Sequence, residues 1–96
     1  MHAVVRTYSG KGSKKLIDII EKNQTEVEGL LRAIEGFVGY YLVRTSRGGF
    51  SVSVYQDKVG TDERIRVARD WIAKNASNLG AARPTVSEGT VVFQLK

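Results

Sequence analysis

The sequence predicts an α+β domain of the ferredoxin-like type, in which two helices cover one face of a four-stranded antiparallel sheet. Short runs of β-branched and aromatic residues alternate with two longer segments whose apolar residues recur every three or four positions. The resulting order is β-α-β-β-α-β, with no internal linker. The length of 96 residues, with 42% hydrophobic and 26% charged residues, predicts a single globular domain over residues 1–96.

The first strand and the first helix are predicted from "HAVVRTY" and the segment after it. Residues 2–8 are β-branched and end at Ser9-Gly10, which is typical of a strand followed by a turn. Ser13 is a suitable N-cap and Gly36 a suitable residue beyond the last turn, so one helix of about six turns is expected between them. Its buried side is predicted to consist of Leu16, Ile17, Ile20, Val27, Leu30, Leu31 and Ile34.

A β-hairpin is predicted next, because two aromatic and β-branched runs flank Ser46-Arg47-Gly48-Gly49. The second helix is expected to begin at 60–63, with Thr61 as its N-cap, and to end at Gly80. Its buried stripe is predicted to be Ile65, Ala68, Trp71, Ile72, Asn75 and Leu79. The last strand is predicted in "GTVVFQLK", residues 89–96.

The hairpin register decides which strand residues face the helices. A loop of two or four residues pairs odd-numbered residues of the second strand with even-numbered residues of the third, and a three-residue loop reverses the faces. We take the former, which puts Phe37, Tyr41, Val43, Phe50, Val52 and Val54 under the helices. The open face then carries an apolar patch, which predicts a homodimer formed through the sheet faces. The residues of this predicted dimer face are Val38, Tyr40, Leu42 and Tyr55.

The chain as a whole resembles the dimeric α+β barrel superfamily, and within it the antibiotic biosynthesis monooxygenase-like group. The resemblance is carried by the element order, by "GFVGYYLVRT" running into "RGGFSVSVYQD", and by Ala68 and Trp71 on the second helix. It implies that two subunits place their sheets face to face. It does not imply one activity, because the superfamily includes cofactor-free oxygenases, haem-degrading enzymes, peroxidases and stress-related proteins.

Motifs for nucleotide and nucleic-acid binding fail at named positions. In "YSGKGSKK", Lys15 stands where both the P-loop and the dinucleotide pattern require glycine. An RNA-recognition motif needs aromatic residues where this chain has Gly49, Ser51 and Val54. The net charge of +5 is therefore interpreted as solvated helix faces, and single-stranded nucleic-acid binding as the least favoured function. The basic residues concerned are Lys11, Lys14, Lys15, Arg64, Arg66, Arg69 and Lys74.

Neither a metal site nor a cofactor is predicted. The chain has no cysteine and a single histidine, His2, which is too few ligands for structural zinc. A role for His2 as a haem ligand is the weaker alternative. No apolar run reaches the roughly 18 residues of a membrane span, and no signal peptide is recognised, so a cytoplasmic protein is expected.

A pocket between helices and sheet remains as the predicted site. Its candidate residues are Tyr8, Tyr41, Phe50, Trp71 and Asn75, with Arg6 or Arg44 to pair an enolate or a carboxylate. The alternative is that Trp71 and the tyrosines only fill the core. Two functions follow: binding of a small organic ligand, with a stress-related or accessory role, or cofactor-independent monooxygenation of an aromatic or quinone-like substrate. Whether the protein is an enzyme is left open by the sequence.

Overall fold

The chain forms one four-stranded antiparallel sheet, in which the third strand pairs with the second and the first, and the first also pairs with the fourth. This arrangement confirms the ferredoxin-like fold. The structure is a computed structural model that describes residues 1–96. None of its helices combines the length and the apolar composition that crossing a membrane requires. The elements are β1 His2–Ser9, α1 Ser13–Lys22, α2 Gln24–Arg32, β2 Phe37–Thr45, β3 Gly48–Tyr55, α3 Lys58–Asn75 and β4 Thr85–Thr90, with a short 3₁₀ turn at Ser77–Leu79 before β4.

The first helical segment is two helices, so the prediction of one continuous helix is wrong. Asn23 separates α1 from α2 and has non-helical dihedral angles, φ −110° and ψ 25°. Its side-chain amide donates to the carbonyl oxygen of Ile19 at 2.8 Å. Asparagine favours such breaks because its side chain competes for backbone hydrogen bonds. A cavity opens between these two helices and β2.

The glycine-rich segment before α1 is a turn that leads from β1 into the helix, in agreement with the failure of the phosphate-loop motifs there. Gly12 has a left-handed conformation with φ 76° and is the residue that precedes the helix. Ser13 was predicted as the cap, but it is the first helical residue. Its hydroxyl lies 2.8 Å from the carbonyl oxygen of Gly10 and 2.9 Å from that of Arg47. Ser13 therefore ties the start of α1 to the β2–β3 turn.

The second predicted helix, α3, starts earlier than the sequence indicated. Asp57 is its N-cap, and the side-chain carboxylate accepts from the backbone N–H of Gly60 at 3.1 Å. Thr61, the predicted cap, lies inside the first turn, fully buried, and its hydroxyl donates to the carbonyl oxygen of Lys58. Asp57 is the N-cap because its carboxylate accepts from the free backbone N–H of Gly60. Thr61 lies inside the helix and cannot reach that group.

We expect Asp57→Ala to lower the free energy of unfolding by about 0.5–2 kcal/mol, because an N–H group at the start of α3 loses its acceptor. The midpoint of thermal unfolding should fall by several degrees. Asp57→Asn is the matched control, since asparagine caps as well as aspartate does. An equal loss in both variants would mean that the charge of Asp57, and not its capping bond, stabilises the helix.

The last strand is β4 at Thr85–Thr90, and the predicted strand at 89–96 is wrong. β4 pairs with β1 from Thr85 opposite Thr7 to Thr90 opposite His2. The ladder ends there because β1 begins at His2, and one further bond joins the N–H of Val91 to the carbonyl oxygen of Met1. The apolar residues beyond it, Val92, Phe93 and Leu95, are exposed.

The pairing within the hairpin is as predicted, but the faces of the sheet are reversed. Tyr41 pairs with Val52 and Val43 with Phe50, the expected odd-to-even register. The helices nevertheless cover the opposite side, since Ser51 and Ser53 are buried and Tyr41 is 69% exposed. The side chains on the open side, here called the open face, are Val5, Tyr41, Val43, Phe50, Val52 and Val54.

The predicted dimer face is therefore wrong. Tyr55 is 0% exposed and its hydroxyl donates to the carbonyl oxygen of Leu31 at 2.8 Å, while Tyr40 and Leu42 face the helices beside it. Val38 has no cross-strand partner, because an irregularity between Phe37 and Gly39 interrupts the ladder. This bulge places Phe37 on the covered side, where its ring meets that of Tyr55 edge to face at 5.7 Å.

The core lies between the helices and the covered face of the sheet. Its buried members are Tyr8, Leu16, Ile17, Ile20, Trp71 and Ala76. The two ends of this layer differ in character. Leu16 of α1 is almost fully buried and lines neither cavity, whereas Trp71 and Tyr8 border open space.

Candidate functional site

Two adjoining cavities lie between the helices and the sheet. The outer groove, of about 530 Å³, opens along the edge strand β2 beneath α1 and α2. The second cavity, of about 30 Å³ and here called the inner chamber, lies against α3. Ile20, Val27, Leu31 and Tyr40 line both, so the groove leads into the chamber. The outer volume falls in the range of small-molecule sites.

Two buried guanidinium groups stand at the inner end of this layer. Arg64 of α3 is 3% exposed and Arg6 of β1 is 4% exposed. Arg64 donates from Nε to the hydroxyl of Ser53 at 2.6 Å and from Nη2 to that of Ser51 at 3.3 Å. Arg6 pairs directly with Ser51 across the sheet, so the two arginines approach the same serine from different elements.

Neither buried arginine forms an ion pair. The arginines that do form ion pairs are exposed: the side chains of Arg32, Arg44 and Arg66 are 63%, 48% and 53% accessible to solvent. Arginine is rarely buried without an acidic partner, because removal from water costs several kcal/mol per charge. Burial accordingly lowers the pKa of Arg64, and the nearby charge of Arg6 acts in the same direction. The interior thus holds positive charge without a compensating acid.

Aromatic hydroxyl groups surround these charges. Arg6 donates from Nε to the hydroxyl oxygen of Tyr8 at 2.9 Å, which leaves the hydroxyl hydrogen of Tyr8 free to donate. Arg64 lies over the ring of Tyr40 at 5.4 Å, a cation–π distance. Burial raises the pKa of Tyr40, and the positive charge of Arg64 opposes that rise only in part. Burial also raises the pKa of Tyr55 to about 12. Tyr40 and Tyr55 are therefore neutral at physiological pH.

Trp71 contributes a buried donor with no partner. Its side chain is 8% exposed and lines the inner chamber beside Tyr8 and Arg64. Its indole Nε1 is the one buried side-chain nitrogen or oxygen atom without a hydrogen bond. A buried N–H without an acceptor costs about 1–3 kcal/mol, so native proteins keep few of them. The unsatisfied N–H therefore marks this part of the core as imperfectly packed.

The structure brings together three of the predicted pocket residues: Tyr8 and Trp71 line the inner chamber, and Arg6 holds Tyr8 from behind. Arg44 lies at the rim of the outer groove, where its charge is already paired with Asp18 at 2.6 Å and with Glu21 at 2.7 Å.

The other predicted residues lie elsewhere. Tyr41 and Phe50 point to the open face, away from both cavities. Asn75 is exposed at the end of α3, and its amide donates to the carbonyl oxygen of Trp71. His2 lies at 2.9 Å from Glu88 and lines neither cavity, so the geometry does not support a haem-ligand role. No group of three or more His, Cys, Asp or Glu residues is placed to hold a metal ion.

Sequence reasoning missed Arg64, Tyr40, Ser51 and Ser53. A signal for Arg64 was present, because it precedes Ala68 by four residues and Trp71 by seven, the spacing of one helix face. An arginine on an apolar stripe should have been assigned to the interior, not to the solvated face. The serines carried no such signal, since alternation with valine is typical of a strand with one wet side.

Comparisons with known proteins show the fold. No protein-family model and no curated protein matches the chain. MhuD, a heme-degrader from Mycobacterium tuberculosis solved with two hemes in its active site, aligns with a TM-score of 0.70 and 13% identity over 100% of both chains. A dimeric ferredoxin-like protein from an uncultured marine organism aligns at 0.67 and 18% identity, over 98% of this chain and 94% of that one.

A third solved structure is a variant of SnoaB, a cofactor-independent oxygenase from Streptomyces nogalater. It aligns with a TM-score of 0.52 and 19% identity, covering 98% of this chain and 93% of its own. Identities this low carry no residue assignments from one protein to another. The chain shares the ferredoxin-like fold of these solved structures, so the fold that the sequence resemblance implied is confirmed.

Proposed function

We propose that the protein is a homodimer that binds a small, largely apolar organic molecule between its helices and its sheet. The observation that carries this proposal is a groove of about 530 Å³ that adjoins a smaller cavity lined by Trp71, whose buried indole N–H has no acceptor. Unfilled space and an unpaired buried donor both reduce the stability of a fold, so their presence here favours a binding site over a simple core. The apolar part of the groove comes chiefly from Ile17, Ile20, Val27, Leu31, Phe37 and Leu42.

The homodimer is proposed from the open face. Val52 lies at its centre, with Val5 on one neighbouring strand and Tyr41 on the other. The apolar row continues through Phe50 and Val54, and the segment with Val92, Phe93 and Leu95 is also exposed. Contiguous apolar surface of this kind marks an interface, and a second copy supplies a matching surface by twofold symmetry. One structural neighbour is described as a dimeric ferredoxin-like protein.

Ligand binding can be tested by thermal unfolding with a panel of aromatic acids, quinones and polyphenols. A ligand present at about 100 times its Kd should stabilise the fold by about 2.7 kcal/mol, a rise on the order of 10 °C. Val27→Trp should abolish that rise, because Val27 borders both cavities and a larger side chain there fills their junction.

Val59→Trp is the matched control, since Val59 is exposed near the start of α3 and borders neither cavity. It should retain the full rise in melting temperature. A ligand that stabilises both tryptophan variants equally binds outside the groove, and that result would contradict the proposed site.

Cofactor-independent monooxygenation is the second candidate, favoured by one observation. The chamber presents Arg64 and Tyr8 but no carboxylate or imidazole, a set that stabilises an anion and supplies no general base. A substrate that enters already ionised would need only that stabilisation. Its own electrons would reduce O₂, placing one oxygen atom on carbon and the other in water. Oxygen uptake with polyphenols, measured for the protein and for Val27→Trp, tests this candidate.

A further inference from the structure

We infer that the ligand is an organic carboxylate whose acid group occupies the inner chamber while its apolar body lies in the outer groove. This inference rests on the proposed ligand-binding function and adds the chemical class of the ligand. Arg64, Tyr8 and Trp71 line the chamber, and the outer groove is rich in aliphatic side chains.

The first argument is charge. Arg6 and Arg64 are both more than nine-tenths buried, and only neutral hydroxyl groups accept their hydrogen bonds. Of the six other arginines, Arg32, Arg44 and Arg66 form ion pairs. The acids of the chain therefore pair with exposed arginines and not with the two buried ones. An anion from outside would supply the missing negative charge, and a neutral ligand would not.

The second argument is the supply of donors. Arg64 uses Nε and Nη2 for the two serines, and the hydroxyl hydrogen of Tyr8 has no acceptor within the chain. The buried indole N–H of Trp71 has none either. A carboxylate offers about four lone-pair positions on two oxygens, so it accepts from several such groups at once. Bonds of this charge-assisted kind are about twice as strong as neutral ones.

The third argument is size. A volume of about 30 Å³ corresponds to roughly two water-sized spheres. The two oxygens of a carboxylate need about that space, whereas an aromatic ring does not fit. The outer groove, at about 530 Å³, has room for the ring system. The acid group therefore points inward, and the charged residues of the rim, such as Glu28 and Arg32, remain paired with each other.

The test uses matched pairs of ligands that differ only in charge: benzoate, naphthoate and anthracene carboxylate, each with its primary amide. Affinities are measured by titration calorimetry, and the emission of Trp71, the sole tryptophan, reports occupancy of the chamber. The acid of at least one pair should bind about ten- to a hundredfold more tightly than its amide. Arg64→Met should reduce the affinity for the acid to that for the amide and leave the amide unaffected.

Arg69→Met is the matched control. It removes one positive charge from an exposed position on the same helix and should preserve the preference for the acid. If Arg64→Met does not fold, Tyr8→Phe keeps the test sharp, since it removes one free donor and should weaken acid binding about two- to tenfold.

The failures are distinguishable. Equal binding of acid and amide, with a change in Trp71 emission, would overturn the anion inference and leave the ligand-binding function standing. Binding of neither member of any pair would overturn both. A preference for acids that persists in Arg64→Met and disappears in Arg69→Met would place the anion on the surface and overturn the inner site.

Discussion

Val52→Glu is expected to convert the proposed dimer into a monomer. Val52 lies at the centre of the open face, on a strand paired on both sides, so its side chain cannot leave the interface without loss of the sheet. A carboxylate left there without a partner costs about 3–5 kcal/mol, and twofold symmetry introduces it twice. The dimer dissociation constant should rise more than about a hundredfold.

Sedimentation or light scattering at tens of micromolar gives the oligomeric state, and circular dichroism confirms that the variant is folded. Ala73→Glu serves as the control, because it adds the same charge at an exposed position of α3. It should remain dimeric. A monomeric parent protein, or a Val52→Glu variant that stays dimeric, would show that the open face is not the interface.

The pairing of the strands could be predicted from the sequence, but their orientation toward the helices could not. Turn chemistry at Gly48-Gly49 and the two flanking apolar runs were sufficient for the register. Orientation depended on assuming that the apolar set, Phe50, Val52 and Val54, faces inward. The structure has Ser51 and Ser53 inside because Arg64 reaches them from the helix layer. The rule that the apolar side of a strand faces the helices fails here because Arg64 contacts two serines that are distant in the sequence. A local sequence pattern cannot predict such a contact.

The candidate site was predictable where aromatic residues carried the signal. Tyr8 and Trp71 combine bulk with a polar atom, which is why both were assigned to the pocket, and the structure places both at the inner chamber. Tyr40 was misplaced because the helices cover the side of the sheet opposite to the one predicted, where Ser51 and Ser53 also lie. The bulge at Val38 changes the side of Phe37 only, because it affects the residues that precede it.

The double variant Arg64→Met, Ser53→Ala is expected to be more stable than the natural sequence when no ligand is present. Methionine fills much of the volume of arginine without a charge, and alanine removes the hydroxyl that accepted from Nε at 2.6 Å. Replacing a buried charge and its partner by apolar groups of similar shape stabilises proteins by about 1–4 kcal/mol in favourable cases. Ser51 keeps its hydroxyl but loses only the longer bond, at 3.3 Å.

Urea unfolding at one fixed protein concentration measures the effect, since dimerisation would otherwise contribute to the apparent stability. Arg64→Met alone should gain less than the double variant, because it leaves the hydroxyl of Ser53 without its donor. A double variant less stable than the parent would mean that Tyr40 and the serines fully compensate the charge of Arg64, and the case for an anionic ligand would weaken. A double variant with a higher free energy of unfolding and no affinity for acids would mean that Arg64 serves ligand binding and lowers the stability of the fold.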